Sequence, residues 1–344
     1  MYSGGLDSIL AAKVIAEEGI EVIALHLYNG FNGSLRRDIE RGPTRSWTPE
    51  PSIVAGTERL GIKLIALDVA DEFIDVLHEP RYGYGSAVNP CIDCRIFALR
   101  KAREIMESEQ AAFVFTGEVL GQRPMSQYRN ALELVARKSG FEGRLLRPLS
   151  ALLLEPTIPE RDGTIDRSRL HGFSGRSRKP QKELAERYGI DWYPNSGGGC
   201  LLTDTNYAAK YKDIVEHSDG RKPDKQSLMS LKTGRHLRLA GGVKVIIGRI
   251  EAENDYLRQL LGDRCWMFEA RDFAGASVFA FDEPREEDFP GIASICARYG
   301  KGSAEDTVTV IASKGSLSRE LEVKPAVHKD IEPFFIDKKK KRFW

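Results

Sequence analysis

The stretch Ser3-Gly-Gly-Leu-Asp-Ser8, running straight into Ile9-Leu-Ala-Ala-Lys-Val-Ile-Ala-Glu-Glu18, decides how this sequence is read. Apolar residues at helical spacing over 9–18 predict a helix, and Gly19 is placed to end it. The next run, Glu21-Val-Ile-Ala-Leu-His-Leu27, reads as a buried strand. Gly4 and Gly5, set before a helix, let backbone approach a phosphate closely, and the helix N-terminus offers free N–H groups and a positive dipole end. Ser3 and Ser8 add hydroxyl donors, and Asp7 is suited to holding a magnesium ion on a pyrophosphate. A Walker-type loop is excluded, since no Gly-Lys-Ser/Thr follows.

Working outward, residues 51–60 read as a helix and Lys63-Leu-Ile-Ala-Leu-Asp68 as a second strand. An amphipathic helix over 93–107 precedes the strand Ala112-Phe-Val-Phe-Thr116. This alternation predicts an α/β fold with a doubly wound parallel sheet, whose ligands sit at the carboxyl ends of the strands. Residues 28–49, rich in Gly and Arg, form a long loop at such an end. Only Met1 and Tyr2 precede Ser3, where a strand of about five residues is expected. The expectation is a start upstream of Met1, or a sheet lacking that strand.

After residue 219 the texture changes. Asp219-Gly-Arg-Lys-Pro-Asp-Lys-Gln226 is polar and turn-forming, as a linker would be. Beyond it, Val243-Lys-Val-Ile-Ile-Gly248, Ala276-Ser-Val-Phe-Ala-Phe281 and Thr307-Val-Thr-Val-Ile-Ala312 read as strands, with a helix over 251–261. The expected division is 1–222, a smaller α+β domain at 226–322, and a basic tail at 323–344 with seven Lys/Arg against three Asp/Glu.

The 344 residues fit about two domains of roughly 150 residues each, and 41% hydrophobic with 29% charged excludes intrinsic disorder. Fifty-one Lys/Arg against 50 Asp/Glu give a net charge of +1, so a nucleic-acid partner would have to be held by local patches. No apolar run approaches the roughly 20 residues that span a bilayer, and no secretory signal opens the chain. Five cysteines are too few, and odd in number, for a disulfide scaffold, so the expectation is a reduced, cytoplasmic protein without a membrane partner.

Three of those cysteines form a pattern. Cys91-Ile-Asp-Cys94 opens a helix after Asn89-Pro90, and Cys200 follows Gly197-Gly-Gly199. An isolated C-x-x-C is a redox pair or half a zinc site, but zinc wants four ligands and neither His171 nor His217 has convincing spacing. Three thiolates would hold a [4Fe–4S] cluster with one iron open. Cys265 and Cys296 sit among apolar neighbours and read as buried hydrophobes.

The Ser3-to-Ser8 pattern resembles the PP-loop of the ATP pyrophosphatase superfamily, whose members split ATP into AMP and pyrophosphate to adenylate an oxygen. Thr116-Gly-Glu-Val-Leu-Gly-Gln122, Ser126-Gln127, Asn130 and Leu145-Leu-Arg-Pro-Leu149 follow in order after the C-x-x-C. Together these motifs, over about residues 1–205, resemble the ThiI family of tRNA 4-thiouridine synthetases. The resemblance implies that Ser3, Gly4, Gly5, Asp7 and Ser8 bind ATP and Mg2+, and that Gly117, Gly121 and Gln122 line the nucleotide and target-base pocket. It implies catalytic roles for Asp7, Cys91, Cys94 and Cys200, with a sulfur-carrying cysteine in the C-x-x-C. Some PP-loop tRNA thiolases ligate an iron–sulfur cluster through a C-x-x-C plus a distant cysteine, which implies Cys91, Cys94 and Cys200 as ligands here. The chain lacks the family's THUMP and rhodanese regions. In their place, Gly248-Arg-Ile-Glu-Ala-Glu-Asn-Asp255 resembles the NFACT-R RNA-binding domain.

The expected activity is ATP-dependent sulfur transfer to a tRNA uridine, 4-thiouridine synthesis first, with a cysteine desulfurase or free sulfide as sulfur donor. Three alternatives stay open: 2-thiouridine synthesis by an MnmA-like cysteine-persulfide pair, a PP-loop amidoligase or synthetase acting on a small acid, and a non-enzymatic RNA-binding protein. A homodimer is also left open. The RNA contacts expected are Arg176, Arg178, Lys179 and Lys182, then Lys232, Arg235, Lys244 and Arg249, then Lys338 to Arg342 with Phe343 and Trp344 stacking on bases.

Overall fold

The computed structural model describes residues 1–43, 46–194 and 199–336. The chain forms two compact units, Met1–Gly33 with Trp47–Cys200 and Ser34–Ser46 with Leu201–Trp344. The expected tail contacts Lys338 to Trp344 lie outside the described residues.

In the first unit, β1 (Ile23–Tyr28) runs parallel to β2 (Lys63–Asp68), and β3 (Val114–Phe115) parallel to β4 (Leu145–Leu146). The Tyr2 amide donates to the Leu25 carbonyl at 2.7 Å, and the Met1 nitrogen donates to the Phe115 carbonyl at 2.9 Å. Residues 1–2 therefore occupy the slot between β1 and β3. The helices are α1 (Leu6–Glu17), α3 (Pro51–Leu60), α4 (Ala70–His78), α5 (Cys91–Ser108), α6 (Arg129–Ser139), α7 (Ile158–Arg161) and α8 (Lys179–Arg187), with α2 (Leu35–Arg41) falling in the second unit.

Strand alternation explains why this sheet is covered on both faces. Ala24 packs with Leu6, Ile9, Leu10 and Leu184, from α1 and α8. Its neighbours Leu25 and Leu27 point the other way, onto Leu99 of α5 and Val135 of α6. Burying such apolar side chains contributes on the order of 25 cal/mol per Å². Only Val114 and Phe115 of the predicted 112–116 strand pair as a strand.

The second unit has a six-stranded sheet in the order β10-β9-β7-β8-β6-β5, and every pairing is antiparallel. Its strands are β5 (Arg235–Arg238), β6 (Lys244–Ile247), β7 (Trp266–Ala270), β8 (Val278–Ala280), β9 (Val308–Lys314) and β10 (Leu317–Val323). Its other helices are α9 (Thr205–Glu216), α10 (Lys225–Ser230), α11 (Glu251–Leu261), α12 (Phe289–Arg298) and α13 (His328–Ile331). Helix α12 covers one face through Phe289, Ile292 and Cys296, while Leu257 and Leu261 of α11 join Ile246 and Phe279 on the other. Cys265 and Cys296 are buried, as expected of apolar cysteines, and burial pushes their thiols up to about 11 and about 12.

Residues 28–49 are not a plain loop. The chain leaves the first unit after Gly33, forms α2, and returns at Trp47. Within the second unit, Asp38 of α2 accepts a bond from Lys232 Nζ at 2.6 Å in a buried ion pair. Helix α9, expected in the first domain, makes its bonds in the second unit: Tyr207 OH donates to the Leu228 carbonyl at 3.1 Å. Among the described residues, no helix is long and apolar enough to cross a membrane.

Candidate active site

The loop before α1 is built as its sequence requires. Gly4 has φ 72°, a conformation that favours glycine, and a Cβ there would also press on Ile53 at 2.9 Å. The two serines close the loop on itself: the Ser3 amide donates to Ser8 Oγ at 3.2 Å, and Ser8 Oγ donates to the Gly5 carbonyl at 2.9 Å. The Ser8 and Ile9 amides bond the Gly5 carbonyl at 3.0 and 3.1 Å, while the Leu6 and Asp7 amides at the start of α1 have no earlier helical carbonyl to bond.

Asp7 sits in that first turn and organises the opposite wall. Its Oδ2 accepts from Gln122 Nε2 at 2.9 Å and faces Arg178 Nη2 at 3.4 Å, while its Oδ1 is buried without a hydrogen-bond partner. Gln181 Nε2 donates to Gln122 Oε1 at 3.3 Å, so α8 props the glutamine that holds Asp7. A carboxylate oxygen left open beside a phosphate-type loop fits a magnesium ion, which keeps most of its ligands as water and phosphate oxygens.

Gly117 is required by packing. A Cβ at this position would lie 2.5 Å from the Asp7 carbonyl oxygen and 2.7 Å from the Ser8 nitrogen. Gly121, at φ 72°, starts a tight loop closed by its amide bonding the Gln127 carbonyl at 2.7 Å. Next to Gly117, Glu118 of the 116–122 motif is buried in a network with Arg147 of the 145–149 motif and with Arg95. Arg147 Nε donates to its Oε2 at 3.1 Å, Thr116 Oγ1 donates to the same oxygen at 3.1 Å, and Arg95 lies 3.5 Å from Oε1. Burial opposes ionisation of Glu118, but Arg147 and Arg95 outweigh it and hold the carboxyl below its ordinary range.

A cavity of about 190 Å³ opens between these elements, lined among others by Ser3, Asp7, Ser8, Cys94, Arg95 and Gly117. Cys94 is placed by α5, and Asn29 Nδ2 reaches its sulfur at 3.9 Å. Burial pushes its thiol up to about 11, although Arg95 pulls the other way. Cys91 receives a bond from the buried Asn89 Nδ2 at 3.1 Å. The Arg95 guanidinium is stabilised, against its burial, by Glu118 first and then by Cys94, Cys91 and Cys200, so the three cysteines share one electrostatic neighbourhood.

The [4Fe–4S] expectation finds no support in this neighbourhood. Among the described residues no three Cys, His, Asp or Glu side chains are arranged to hold a metal ion. Cys91 is bonded by Asn89, while Cys94 faces the cavity.

The predicted RNA contacts divide sharply. Arg176, Lys179 and Lys182 are exposed, whereas Arg178 turns inward to Asp7. Lys244 cannot meet RNA: it is fully buried in the second unit, bonded to Asp213 Oδ2 at 2.6 Å. Lys232 is likewise buried on Asp38. Arg235 stacks over the Tyr299 ring with 5.2 Å to the centroid, and Arg249 Nε donates to Glu253 at 3.0 Å. Lysines in strands or beside a core read as a surface patch in one dimension, and only the fold shows which way they point.

The family model described as tRNA methyl transferase HUP domain matches residues 1–127. The N-terminal unit has a HUP-like PP-loop fold. The family model described as NFACT protein RNA binding domain matches residues 234–335, covering the antiparallel sheet. The tRNA-specific 2-thiouridylase MnmA of Nitratidesulfovibrio vulgaris is 33% identical over 164 residues, which is 45% of this chain and 44% of that protein. MnmA of Cutibacterium acnes is 34% identical over 97 residues, 27% of this chain and 26% of that one. MnmA of Thermus thermophilus is 31% identical over 117 residues, 30% and 32% respectively. The chain thus spans less than half the length of these relatives. A solved structure, the C-terminal of the fibronectin/fibrinogen-binding protein from Streptococcus suis, aligns over 71% of this chain and 94% of that one. Its TM-score is 0.27 and its identity 14%, too low to indicate a shared fold. The relatives are named for 2-thiouridine chemistry, so the resemblance stands as one to PP-loop tRNA-modifying domains, and the specific assignment to 4-thiouridine synthetases is not supported.

Proposed function

We propose that this chain is an ATP-dependent tRNA uridine sulfurtransferase of the 2-thiouridylase type. The observation that carries the reading is the shared cavity: the Cys94 thiol and the loop residues Ser3, Asp7 and Ser8 line the same space. A nucleotide-activating loop and a sulfur-carrying group must reach one carbon, and this arrangement supports that.

In this reading the loop amides and the two serines hold the phosphates of ATP, and Asp7 would hold a Mg2+ ion that would supply positive charge to the pyrophosphate. The uridine carbonyl oxygen attacks the α-phosphorus and pyrophosphate leaves. A persulfide on Cys94 attacks the activated carbon and AMP leaves with the original oxygen. Cys200 then attacks the Cys94 sulfur, which forms a disulfide and frees the thiocarbonyl. Both the MnmA relatives and the absence of a converging thiol triad among the described residues favour this pair over a cluster. Arg176, Lys179 and Lys182, exposed on one segment, are the tRNA contacts this reading keeps, with the NFACT-R-like unit as a second RNA-binding element.

The test is reaction of the full chain with tRNA transcript, ATP and a persulfide donor, followed by nucleoside mass spectrometry. 2-Thiouridine is expected; 4-thiouridine would restore the ThiI-type chemistry, and no thionucleoside would refute the function. Asp7→Asn is expected to lower pyrophosphate release by at least about 100-fold while leaving the circular dichroism spectrum unchanged.

A further inference from the structure

Arg95 and Arg123 line the cavity with Asp7 and Glu118, and two further guanidinium groups, Arg147 and Arg178, bond the same two carboxylates. Glu118 is shared by Arg147 and Arg95, and Asp7 is taken by Arg178 and Gln122. Arg123 also lines this cavity, and among the described residues no carboxylate lies within ion-pair distance of it. Four guanidinium groups (Arg95, Arg123, Arg147, Arg178) thus surround two carboxylates (Asp7, Glu118).

Arg123 stands there at a cost. Partial burial, together with the like charges of Arg95 and Arg178, disfavours its protonated form, and the attraction of Asp7 offsets that only in part. The backbone nevertheless holds it in place. Gly121 N bonds the Gln127 carbonyl at 2.7 Å, Gln127 N bonds the Arg123 carbonyl at 3.3 Å, and Met125 between them adopts φ 71°, a region non-glycine residues rarely occupy. A short closed loop that fixes an unpaired cation beside a phosphate-type loop is explained by an anion that enters later.

We propose that Arg123 binds the phosphate chain of the nucleotide, holding the pyrophosphate leaving group against the loop of residues 3–8. This rests on the ATP-dependent function proposed above and adds a residue that neither the loop motif nor its resemblance pointed to. The guanidinium fork suits two phosphate oxygens at once, and binding would give Arg123 the anionic partner that the four-arginine, two-carboxylate network does not provide.

The experiment is isothermal titration of the full chain and of Arg123→Ala and Arg123→Lys with inorganic pyrophosphate, with adenosine and with a tRNA transcript. Pyrophosphate affinity is expected to fall about tenfold or more in Arg123→Ala and to be partly restored in Arg123→Lys, with adenosine and tRNA affinities unchanged. Unchanged pyrophosphate affinity in Arg123→Ala overturns the proposal, as does a loss confined to tRNA, which would assign Arg123 to an RNA phosphate. Parallel loss of adenosine binding also overturns it, since it would mark a collapsed pocket. A wild-type chain that binds neither pyrophosphate nor adenosine overturns the nucleotide function itself, and this proposal with it.

Discussion

Gly117 lies so close to Asp7 that a Cβ on the glycine would stand 2.5 Å from the aspartate's carbonyl oxygen. The turn after β3 is therefore seated directly on the first turn of α1. That contact fixes Thr116 and Glu118 relative to the phosphate-type loop, because neither backbone has room to shift without the other.

Gly117→Ala is accordingly expected to cost about 1–3 kcal/mol in stability, the usual scale for overpacking a fitted site. ATP affinity should fall with it, since the first turn of α1 has to move. Chemical denaturation and nucleotide titration together check this; an alanine variant matching wild type in both would show the fit to be slack.

Glu118→Gln should destabilise the first unit by about 3–5 kcal/mol, because Arg147 is left buried with no ionised partner. The effect depends on pH. The Glu118 carboxyl is held below its ordinary 4.5, so its contribution is fully present above that value and is lost as pH falls through the lowered one. Urea denaturation of both chains at pH 7 and at acid pH should show a gap that narrows toward low pH. A constant gap would mean the glutamate does not titrate as its neighbours require.

Alkylation of Cys94 by iodoacetamide should be slow at neutral pH and rise toward about 11, where its buried thiol ionises. Arg95→Ala should slow it further at any given pH, because the guanidinium is the main group favouring the thiolate. Peptide mass spectrometry across a pH series reads both effects. A rate already saturated at pH 8 would refute the buried-thiol description.

Alanine at Arg176, Lys179 or Lys182 should weaken tRNA binding and reduce the salt slope by about 0.7–0.9 for each phosphate no longer neutralised. Lys244→Ala should leave that slope unchanged and instead destabilise the second unit, since Lys244 is fully buried on Asp213. Filter binding against salt, with thermal melting, separates the two classes of lysine.

The local pattern carried much of this protein. The periodicity of residues 9–18, the boundaries of β2 and α11, and the glycines and serines of the first loop are short-range consequences of composition, and the structure keeps them nearly where the sequence puts them. Residues 1–2 could not be placed from their neighbours, because their strand-like role depends on Leu25 and Phe115, far along the chain. Glu118 and Arg147 lie in the ordered motifs and Arg95 and Arg123 in none, but nothing in the sequence joins them: the charge network comes from β3, α5 and β4 meeting at one end of a sheet. The cysteines show the same limit. Their order along the chain suggested three equal ligands, yet Cys94 lines the cavity while the Cys91 thiol is held by Asn89. Lys244 and Arg178 read as surface cations for the same reason: charge is a property of sequence, but the direction a side chain points and the dielectric it meets are set only when distant elements pack.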